Sequence, residues 1–402
     1  MNEKIAITDL QKVLFVKSGI AIGGASFADL AMVSYLKARG HDISIMTGYA
    51  QPFVHDHMSS QGIPLLVDSA LDRNSETSAF TIKSKILAEV AIKDCVVMFS
   101  QALCAAEQRM GEAAIATADE VPTVFRQHNP VAQGLHVSFR DADSGFCLPL
   151  TRSMDAQLKA LNPNVTSQVM PPLINGNRFE YTESTRKEVK QSVRQNLDLE
   201  EQDDSVVIYQ PTRVSDHKGL EYSLALAIRL ERQLARRCIL LIAGGNEPFA
   251  VAQRLKLSLQ QTAESQNFEG LRFMNGSHAH EGKRRISDIM LASDIVALPS
   301  TRETFGLGVA EAALSHAPIV AKRYRDDSGN DIFDEVYGDY DVVVDRIDAT
   351  IPSDEVVLEL ANVVEDRSRR TAMTEHNHEL ALRYTFTNST HGLLLDALRG
   401  AH

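Results

Sequence analysis

The chain has 402 residues, of which 44% are hydrophobic and 23% are charged, and its formal net charge is −12. This is the composition of a globular protein, and the length allows two domains because a single core rarely exceeds about 250–300 residues. The acidic balance argues against a general affinity for nucleic acid or for anionic membranes, since both favour basic proteins.

The four cysteines indicate neither a zinc site nor a disulfide framework, because they lie far apart and lack C-x-x-C spacing. No stretch approaches the roughly 18 apolar residues of a membrane span, and the N-terminus lacks the apolar core of a signal peptide. We therefore expect a soluble, cytosolic protein with reduced thiols and no membrane span.

The chain begins with a predicted strand, a glycine-containing loop and a helix. Residues 13–16 are apolar, residues 19–24 contain three glycines, and residues 26–39 carry an apolar face at helical spacing. Backbone N–H groups at Gly23 and Gly24 could approach a phosphate closely, although a loop that merely turns remains an alternative. A dinucleotide site is disfavoured because the spacing is not G-x-G-x-x-G.

Strand-like runs then alternate with helical or polar stretches, which predicts a parallel sheet covered by helices. These runs lie at residues 42–47, 64–67, 95–99, 122–125, 146–150 and 168–170. His128 follows one of them closely, and ligands of such sheets collect at the carboxyl ends of strands. His128 is therefore a candidate for the reacting centre, with an ordinary surface histidine as the equal alternative.

A polar break near residues 171–179 marks a domain boundary, after which a second alternation begins with a strand at residues 205–210. Arg213 and Lys218 lie between this strand and a helix near residues 220–236. Two cations beside a helix N-terminus suit a diphosphate. The alternative is a solvated surface loop. A strand followed by a glycine turn is predicted at residues 239–245 and again at residues 271–278. Further strands are predicted at residues 317–321 and 341–345, and the last sixty residues are predicted to be helical.

The most informative stretch runs from Asp294 to Leu314. A buried strand at residues 295–298 is followed by a polar turn with Glu303 and then by an alanine-rich helix with Glu311. The unpaired N–H groups at the start of this helix could face a bound anion. They belong to Thr304, Phe305, Gly306 and Leu307.

Together these segments resemble the ordered motifs of the family known as glycosyl transferases group 1. The motifs are Gly23-Gly24, the Arg213…Lys218-Gly219 loop, Ala243-Gly-Gly245, Glu303-x(7)-Glu311 and His316-Ala-Pro-Ile-Val-Ala321. The resemblance implies the α/β architecture called GT-B, in which two Rossmann-like domains face each other across a cleft and a C-terminal helix crosses back to the first domain. The expected domains are residues 1–173, residues 174–383 and a crossing helix at residues 384–402.

The resemblance also implies roles for individual residues and a function. Arg213 and Lys218 would hold the diphosphate, Glu311 the ribose hydroxyls, and Glu303 the donor sugar, beside which His128 would lie. Thr304 to Leu307 would offer backbone N–H groups, and Gly23 and Gly24 would approach the phosphates. The expected function is a retaining transfer of a hexose from a UDP- or GDP-linked sugar to an acceptor hydroxyl. Neither a metal nor a further cofactor is expected.

Two departures from the family pattern leave alternatives open. Ala317 replaces the usual glycine before a strand, and residues 323–331 stand where Gly-Gly-x-x-Glu is expected. A nucleotide-sugar epimerase of the same architecture and a non-catalytic nucleotide-sugar-binding scaffold therefore stay possible. So does, less favourably, a metal-dependent enzyme with an Asp-x-Asp pair at residues 141–143 or 339–341. Residues 1–170 contain no clear basic amphipathic helix, which favours a soluble sugar, sugar acid or saccharide over a lipid as the acceptor.

Overall fold

The computed structural model describes residues 11–20, 24–72, 74–93, 95–100, 108–127, 145–195, 204–244, 250–274, 286–325, 329 and 331–400. These residues form two compact units, each with its own sheet. Unit 1 comprises the described residues of Met1–Asn175, Asp327–Asn330 and Phe386–His402, and unit 2 comprises those of Gly176–Asp326 and Asp331–Thr385.

Unit 1 is built on a parallel sheet of seven strands. They are β1 (Lys12–Lys17), β2 (Asp42–Thr47), β3 (Leu65–Val67), β4 (Val96–Ser100), β5 (Thr123–Gln127), β6 (Phe146–Pro149) and β7 (Thr166–Ser167). Their order is β3-β2-β1-β4-β5-β6-β7, so the direction of strand addition reverses between β1 and β4. Ligands of open α/β sheets bind at the carboxyl ends of the strands beside such a reversal.

Six described helices belong to unit 1. They are α1 (Gly24–Ala38), α2 (Pro52–Ser60), α3 (Ala79–Lys93), α4 (Gln108–Ala118), α5 (Arg152–Leu161) and α14 (Asn388–Gly400). The central strands are apolar on both faces because helices cover both faces of a parallel sheet. The consecutive residues Leu14 and Phe15 of β1, whose side chains point to opposite faces, are for example both buried.

The last helix, α14, completes the core of unit 1 although it comes from the far end of the sequence. Leu394 and Leu398 are fully buried in the same cluster as the β1 residues. Just before the helix, the ring of Phe386 stacks on Tyr35 of α1 with 4.4 Å between centroids. The predicted return of the C-terminal helix to the first domain is confirmed, and the helix itself begins at Asn388.

Unit 2 is built on a parallel sheet of six strands. They are β8 (Val206–Gln210), β9 (Cys238–Ile242), β10 (Leu271–Phe273), β11 (Ile295–Leu298), β12 (Ile319–Lys322) and β13 (Val343–Asp345). Their order is β10-β9-β8-β11-β12-β13, with the reversal between β8 and β11. Every residue of β11 is buried, as its apolar run predicts.

Eight described helices cover the sheet of unit 2. They are α6 (Glu183–Gln195), α7 (Leu220–Leu234), α8 (Ala250–Ser265), α9 (Ile286–Ala292), α10 (Leu307–Leu314), α11 (Ile332–Tyr337), α12 (Asp354–Glu365) and α13 (Arg367–Ala381). The predicted two-sheet α/β architecture is confirmed. Among the described helices, none combines the length and the apolar character needed to cross a membrane.

Strand boundaries differ from the predictions where backbone N–H or C=O groups form hydrogen bonds with a side chain or a helix end instead of a neighbouring strand. Residues 317–321 were predicted as a strand, but the Ala317 N–H still donates to Ala312 O of α10, at 3.1 Å, and Pro318 has no N–H. Strand β12 therefore begins at Ile319. Similarly, the Asn377 side chain binds both the N–H and the C=O of Asp341, each at 2.7 Å, so β13 begins only at Val343.

Candidate functional site

The site in unit 2 is built on the carboxyl ends of β8 and β11, the two strands that flank the reversal in its sheet. After β8, a short 3₁₀ turn at Asp216–Lys218 leads into α7. After β11, the turn with Glu303 leads into α10. Because the two strands are neighbours, two loops that lie far apart in the sequence meet at one edge of the sheet.

The structure brings two of the predicted residues into direct contact. The Lys218 Nζ lies 2.6 Å from Glu303 Oε1, and both side chains remain partly exposed. Behind them, the buried Gln210 at the end of β8 donates from Nε2 to Lys218 O at 2.7 Å. Gly219 follows with a positive φ of 66°, and a Cβ there would clash with the carbonyl of Pro299. The lysine is thereby fixed against the end of β11.

Arg213 lies in the same loop and is exposed. Gly244, after β9, packs against its backbone so closely that a Cβ would fall 2.7 Å from Arg213 Cα. The pKa of the neighbouring His217 responds to the charges around it. Burial lowers this pKa most, and the charge of Lys218 lowers it further. Arg213 and Arg302 also lower this pKa, and Glu303 raises it. Arg213, Lys218 and Glu303 therefore act on one imidazole, although the sequence did not single out His217 or Arg302.

The start of α10 presents the predicted helix terminus. Gly306 is its N-cap, with φ 80° and ψ 45°, a left-handed conformation that favours glycine. Leu307 is the first helical residue. As a glycine, Gly306 has no side chain with which to cap this end. The first N–H groups of a helix carry partial positive charge, so the terminus can attract an anion.

Glu311 lies one turn into α10 and is half-buried. Burial raises its pKa to about 7, and the nearby charge of Arg178 opposes this only in part. The carboxyl is thus poised between its neutral and charged forms near neutral pH. It can accept a hydrogen bond when charged and donate one when neutral.

Two tyrosines donate hydrogen bonds to the backbone of the Glu303 turn. The sequence did not predict a role for either of them. The Tyr324 hydroxyl donates to Phe305 O at 2.8 Å, and the Tyr337 hydroxyl donates to Gly306 O at 2.9 Å. Both tyrosines are fully buried, and Phe305 packs edge-on against Tyr337. Tyr324 belongs to the segment that replaces the expected Gly-Gly-x-x-Glu. In the sequence, the only sign that Tyr324 has a special role was that its segment departs from the family pattern.

Some of the predicted residues lie outside the described parts of the chain, so the structure does not test their roles. Gly23 and His128 lie outside the described residues, and so does the Asp-x-Asp pair at residues 141–143. Gly24 is the first residue of α1. In the other Asp-x-Asp pair, Asp341 accepts hydrogen bonds from both terminal nitrogens of Arg369. Within the described part of the chain, no three His, Cys, Asp or Glu side chains cluster closely enough to hold a metal ion.

Comparison with known proteins points to one domain family and one fold. Residues 194–326 match the model of the family described as glycosyl transferases group 1. No curated protein matches the chain by sequence. Among solved structures, HepE of Anabaena, in complex with UDP and glucose, superimposes with a TM-score of 0.73 at 16% identity. The match covers 97% of this chain and 100% of HepE.

Two further structures show the same architecture. A glycosyltransferase from Rickettsia africae matches with a TM-score of 0.73 at 12% identity and covers 97% of this chain and 98% of its own. The sucrose-phosphate synthase of Thermosynechococcus elongatus matches with a TM-score of 0.69 at 13% identity and covers 98% and 100%. At these identities the likeness establishes the fold, which is the predicted GT-B fold.

Proposed function

Because residues 194–326 carry a glycosyl transferases group 1 domain, we propose that this chain transfers a hexose from a nucleoside diphosphate sugar to an acceptor hydroxyl. We also propose that the transfer retains the anomeric configuration and needs no metal ion. The observation that carries this proposal is the pairing of Lys218 with Glu303 beside the start of α10, whose N-cap is Gly306. A cation, a carboxylate and the N–H groups of a helix start suit the phosphate and hydroxyl groups of one ligand.

The proposed roles follow from the charges. Arg213 and Lys218 bind the diphosphate, which is strongly negative, through charge-assisted hydrogen bonds. Glu303 accepts hydrogen bonds from hydroxyls of the donor sugar. The N–H groups from Thr304 to Leu307 face the anionic diphosphate of the donor. Glu311 binds the ribose hydroxyls. His128, Gly23 and Gly24 are assigned to the donor sugar and phosphates on the family resemblance alone.

Lys218 and Glu303 neutralise each other at 2.6 Å. Binding of the donor would replace this ion pair with two better-matched contacts, ammonium to phosphate and carboxylate to hydroxyl. This partly exposed pair contributes little to stability, so little is lost when it separates. Exchange of partners therefore opposes binding only weakly and leaves each group correctly placed.

The chemical step separates charge. As the sugar–oxygen bond breaks, negative charge builds on the departing diphosphate and positive charge on the sugar. Fixed cations and helix N–H groups bind the leaving group more strongly in this transition state than in the ground state, which is how they accelerate the reaction. A phosphate oxygen then takes the proton of the attacking hydroxyl, which enters on the face from which the diphosphate leaves.

The test is release of nucleoside diphosphate from UDP- and GDP-linked hexoses, with and without soluble sugars, sugar acids and saccharides as acceptors. UDP-glucose is the first donor to try because HepE was solved with it. We expect acceptor-dependent release that persists in excess chelator and a product with the donor's anomeric configuration. Arg346→Ala, which alters an arginine that is 80% exposed in unit 2, is a matched control for the Arg213 and Lys218 variants.

Other outcomes would identify the alternatives. Conversion of the donor sugar without any acceptor would indicate an epimerase. Tight donor binding without release for every acceptor would indicate a scaffold. Activity abolished by chelator and restored by a divalent cation would contradict the metal-independent mechanism, and an inverted product would contradict retention.

A further inference from the structure

Unit 1 holds a second cluster of charged groups, at the point in its sheet that corresponds to the site in unit 2. Lys17 ends β1, Ser100 ends β4, and Arg126 lies directly opposite Ser100 in the neighbouring strand β5. Strands β1 and β4 flank the reversal in the sheet. All three side chains are buried.

These groups surround a single carboxylate, that of the buried Asp29 on α1. Lys17 Nζ lies 2.7 Å from Asp29 Oδ2, and the Ser100 hydroxyl donates to the same oxygen at 2.6 Å. Arg126 Nε lies 3.3 Å from the other oxygen, Oδ1. Two cations thus share one anion, which leaves one excess positive charge among these buried groups.

The guanidinium of Arg126 carries this excess. Its side chain is 0% exposed, and neither Nη1 nor Nη2 has a hydrogen-bond partner among the residues that the structure describes. A buried guanidinium stays protonated and is costly to bury unless its donors are satisfied. The two Nη groups therefore form an unused fork of donors at the carboxyl end of β5.

We propose that unit 1 binds an oxyanion, the carboxylate or phosphate group of the acceptor substrate, on the Arg126 guanidinium between the ends of β1, β4 and β5. A guanidinium presents parallel N–H groups that match the two oxygens of such an anion. The anion neutralises the excess charge and occupies the position where sheets of this kind bind ligands. The assignment to the acceptor rests on the proposed glycosyl transfer, whereas the anion site itself does not.

The decisive measurement uses the double variant Arg213→Ala/Lys218→Ala, which removes the proposed phosphate-binding cations of unit 2 and leaves unit 1 intact. Its thermal unfolding midpoint is followed in increasing inorganic phosphate, with chloride added to hold the ionic strength constant. We expect a saturable rise in the midpoint, because a ligand that binds only the folded state stabilises it. No rise beyond that in chloride would overturn the proposal, whether or not any Arg126 variant folds.

Arg126→Lys in the same background then tests the fork itself, because it keeps the charge and removes the paired donors. We expect the half-saturating phosphate concentration to rise at least tenfold. Arg109→Lys is the matched control, since this arginine of unit 1 donates to Thr77 O instead, and it should leave the concentration unchanged. An equal effect of the two substitutions would overturn the role of Arg126.

The acceptor assignment is tested with glucuronate, glucose 6-phosphate and neutral glucose as ligands of the double variant. We expect at least one anionic sugar to bind more than tenfold more tightly than glucose, and Arg126→Lys to remove that preference. The responding sugar identifies the anion as carboxylate or phosphate. Equal affinity for all three would overturn the acceptor assignment. Failure of the glycosyl transfer proposal would appear separately, as wild-type protein that releases no nucleoside diphosphate.

Discussion

The two sheets place charged groups at equivalent positions and expose them differently. In unit 1, Lys17, Asp29 and Arg126 are enclosed at the reversal between β1 and β4. In unit 2, the Lys218 and Glu303 side chains, at the reversal between β8 and β11, are 15% and 23% exposed. The same fold position thus carries a buried cluster with excess positive charge in unit 1 and a partly exposed, neutral ion pair in unit 2.

This difference in burial decides whether each group of charges contributes mainly to stability or mainly to activity. A buried charge that loses its partner is costly, so the unit 1 cluster should dominate the stability of its unit. A partly exposed ion pair contributes little to stability and can exchange partners readily. The unit 2 pair should therefore matter for activity and hardly at all for folding.

The largest expected effect is loss of the shared carboxylate in unit 1. Asp29→Ala should lower the free energy of unfolding by about 3–5 kcal/mol, because it leaves two buried cations unpaired. Urea unfolding measures this. Glu120→Ala is the control, since that carboxylate is 51% exposed in its pair with Lys83, and it should cost below about 1 kcal/mol. Similar losses for the two variants would contradict the contrast between buried and exposed pairs.

Glu311 gives the next largest effect, as a pH dependence of stability. Its pKa is raised from 4.5 to about 7 in the folded state. Between these values the folded protein binds more protons than the unfolded chain, so stability falls as pH rises. At pH 8 the Glu311 carboxyl is charged in both states, and its burial then lowers the free energy of unfolding by about 3 kcal/mol at most.

Glu311→Gln removes the titrating group, so the variant should be more stable than wild type at pH 8 and should lose this slope. Unfolding in urea between pH 5 and pH 8 measures both effects. Glu264→Gln changes an exposed carboxylate of α8 in the same unit and should leave the slope intact. A Glu311→Gln variant that keeps the wild-type slope would show that another group titrates.

Glu303→Gln should separate activity from stability in unit 2. We expect kcat to fall on the order of a hundredfold, as for loss of one preorganised polar contact in other enzymes, with a stability change below about 1 kcal/mol. Glu359→Gln, which removes a partly exposed carboxylate that pairs with Arg369, is the control and should leave kcat unchanged. Turnover of Glu303→Gln within tenfold of wild type would refute its contact with the donor.

The sequence predicted the strands and loops that bring Lys218 and Glu303 together in unit 2, but it did not indicate the buried cluster of unit 1. The loops of unit 2 follow apolar strands, and the order of their residues along the chain is that of the family motifs, which implied that Arg213, Lys218, Glu303 and Glu311 form one site. Arg126 also follows a strand-like run. Nothing local indicates that its side chain turns inward to Asp29 on another element, because that depends on the register of β4 and β5 and on how α1 packs.

The support beneath the Glu303 turn was missed for a related reason. The contact between Tyr324 and Phe305 O joins two loops through a tertiary hydrogen bond that leaves no periodic signal. The sequence showed only that residues 323–331 depart from the family pattern. The structure shows that Tyr324 of this segment holds the turn that carries Glu303.

Tyr324→Phe therefore gives the smallest and most discriminating effect. It removes one hydroxyl, leaves the ring in place and deprives the buried Phe305 carbonyl of its donor, which should cost about 1–2 kcal/mol of stability. Because this carbonyl lies between Glu303 and the start of α10, we expect kcat to fall about tenfold, since even small misplacement of positioned groups slows reactions. The Michaelis constant for the donor should change less than kcat.

Tyr384→Phe is the matched control for this prediction. The Tyr384 hydroxyl donates to Val336 O at 2.9 Å, and its ring packs edge-on against the same Phe305. It belongs to the same aromatic cluster but holds a carbonyl outside the Glu303 turn. Val336 O keeps a second donor, Arg383 Nη2 at 2.9 Å, so Tyr384→Phe should lower the unfolding midpoint no more than Tyr324→Phe does. Only Tyr324→Phe should lower kcat. If kcat falls equally in both variants, the hydrogen bond from Tyr324 to Phe305 O has no specific role in positioning the Glu303 turn.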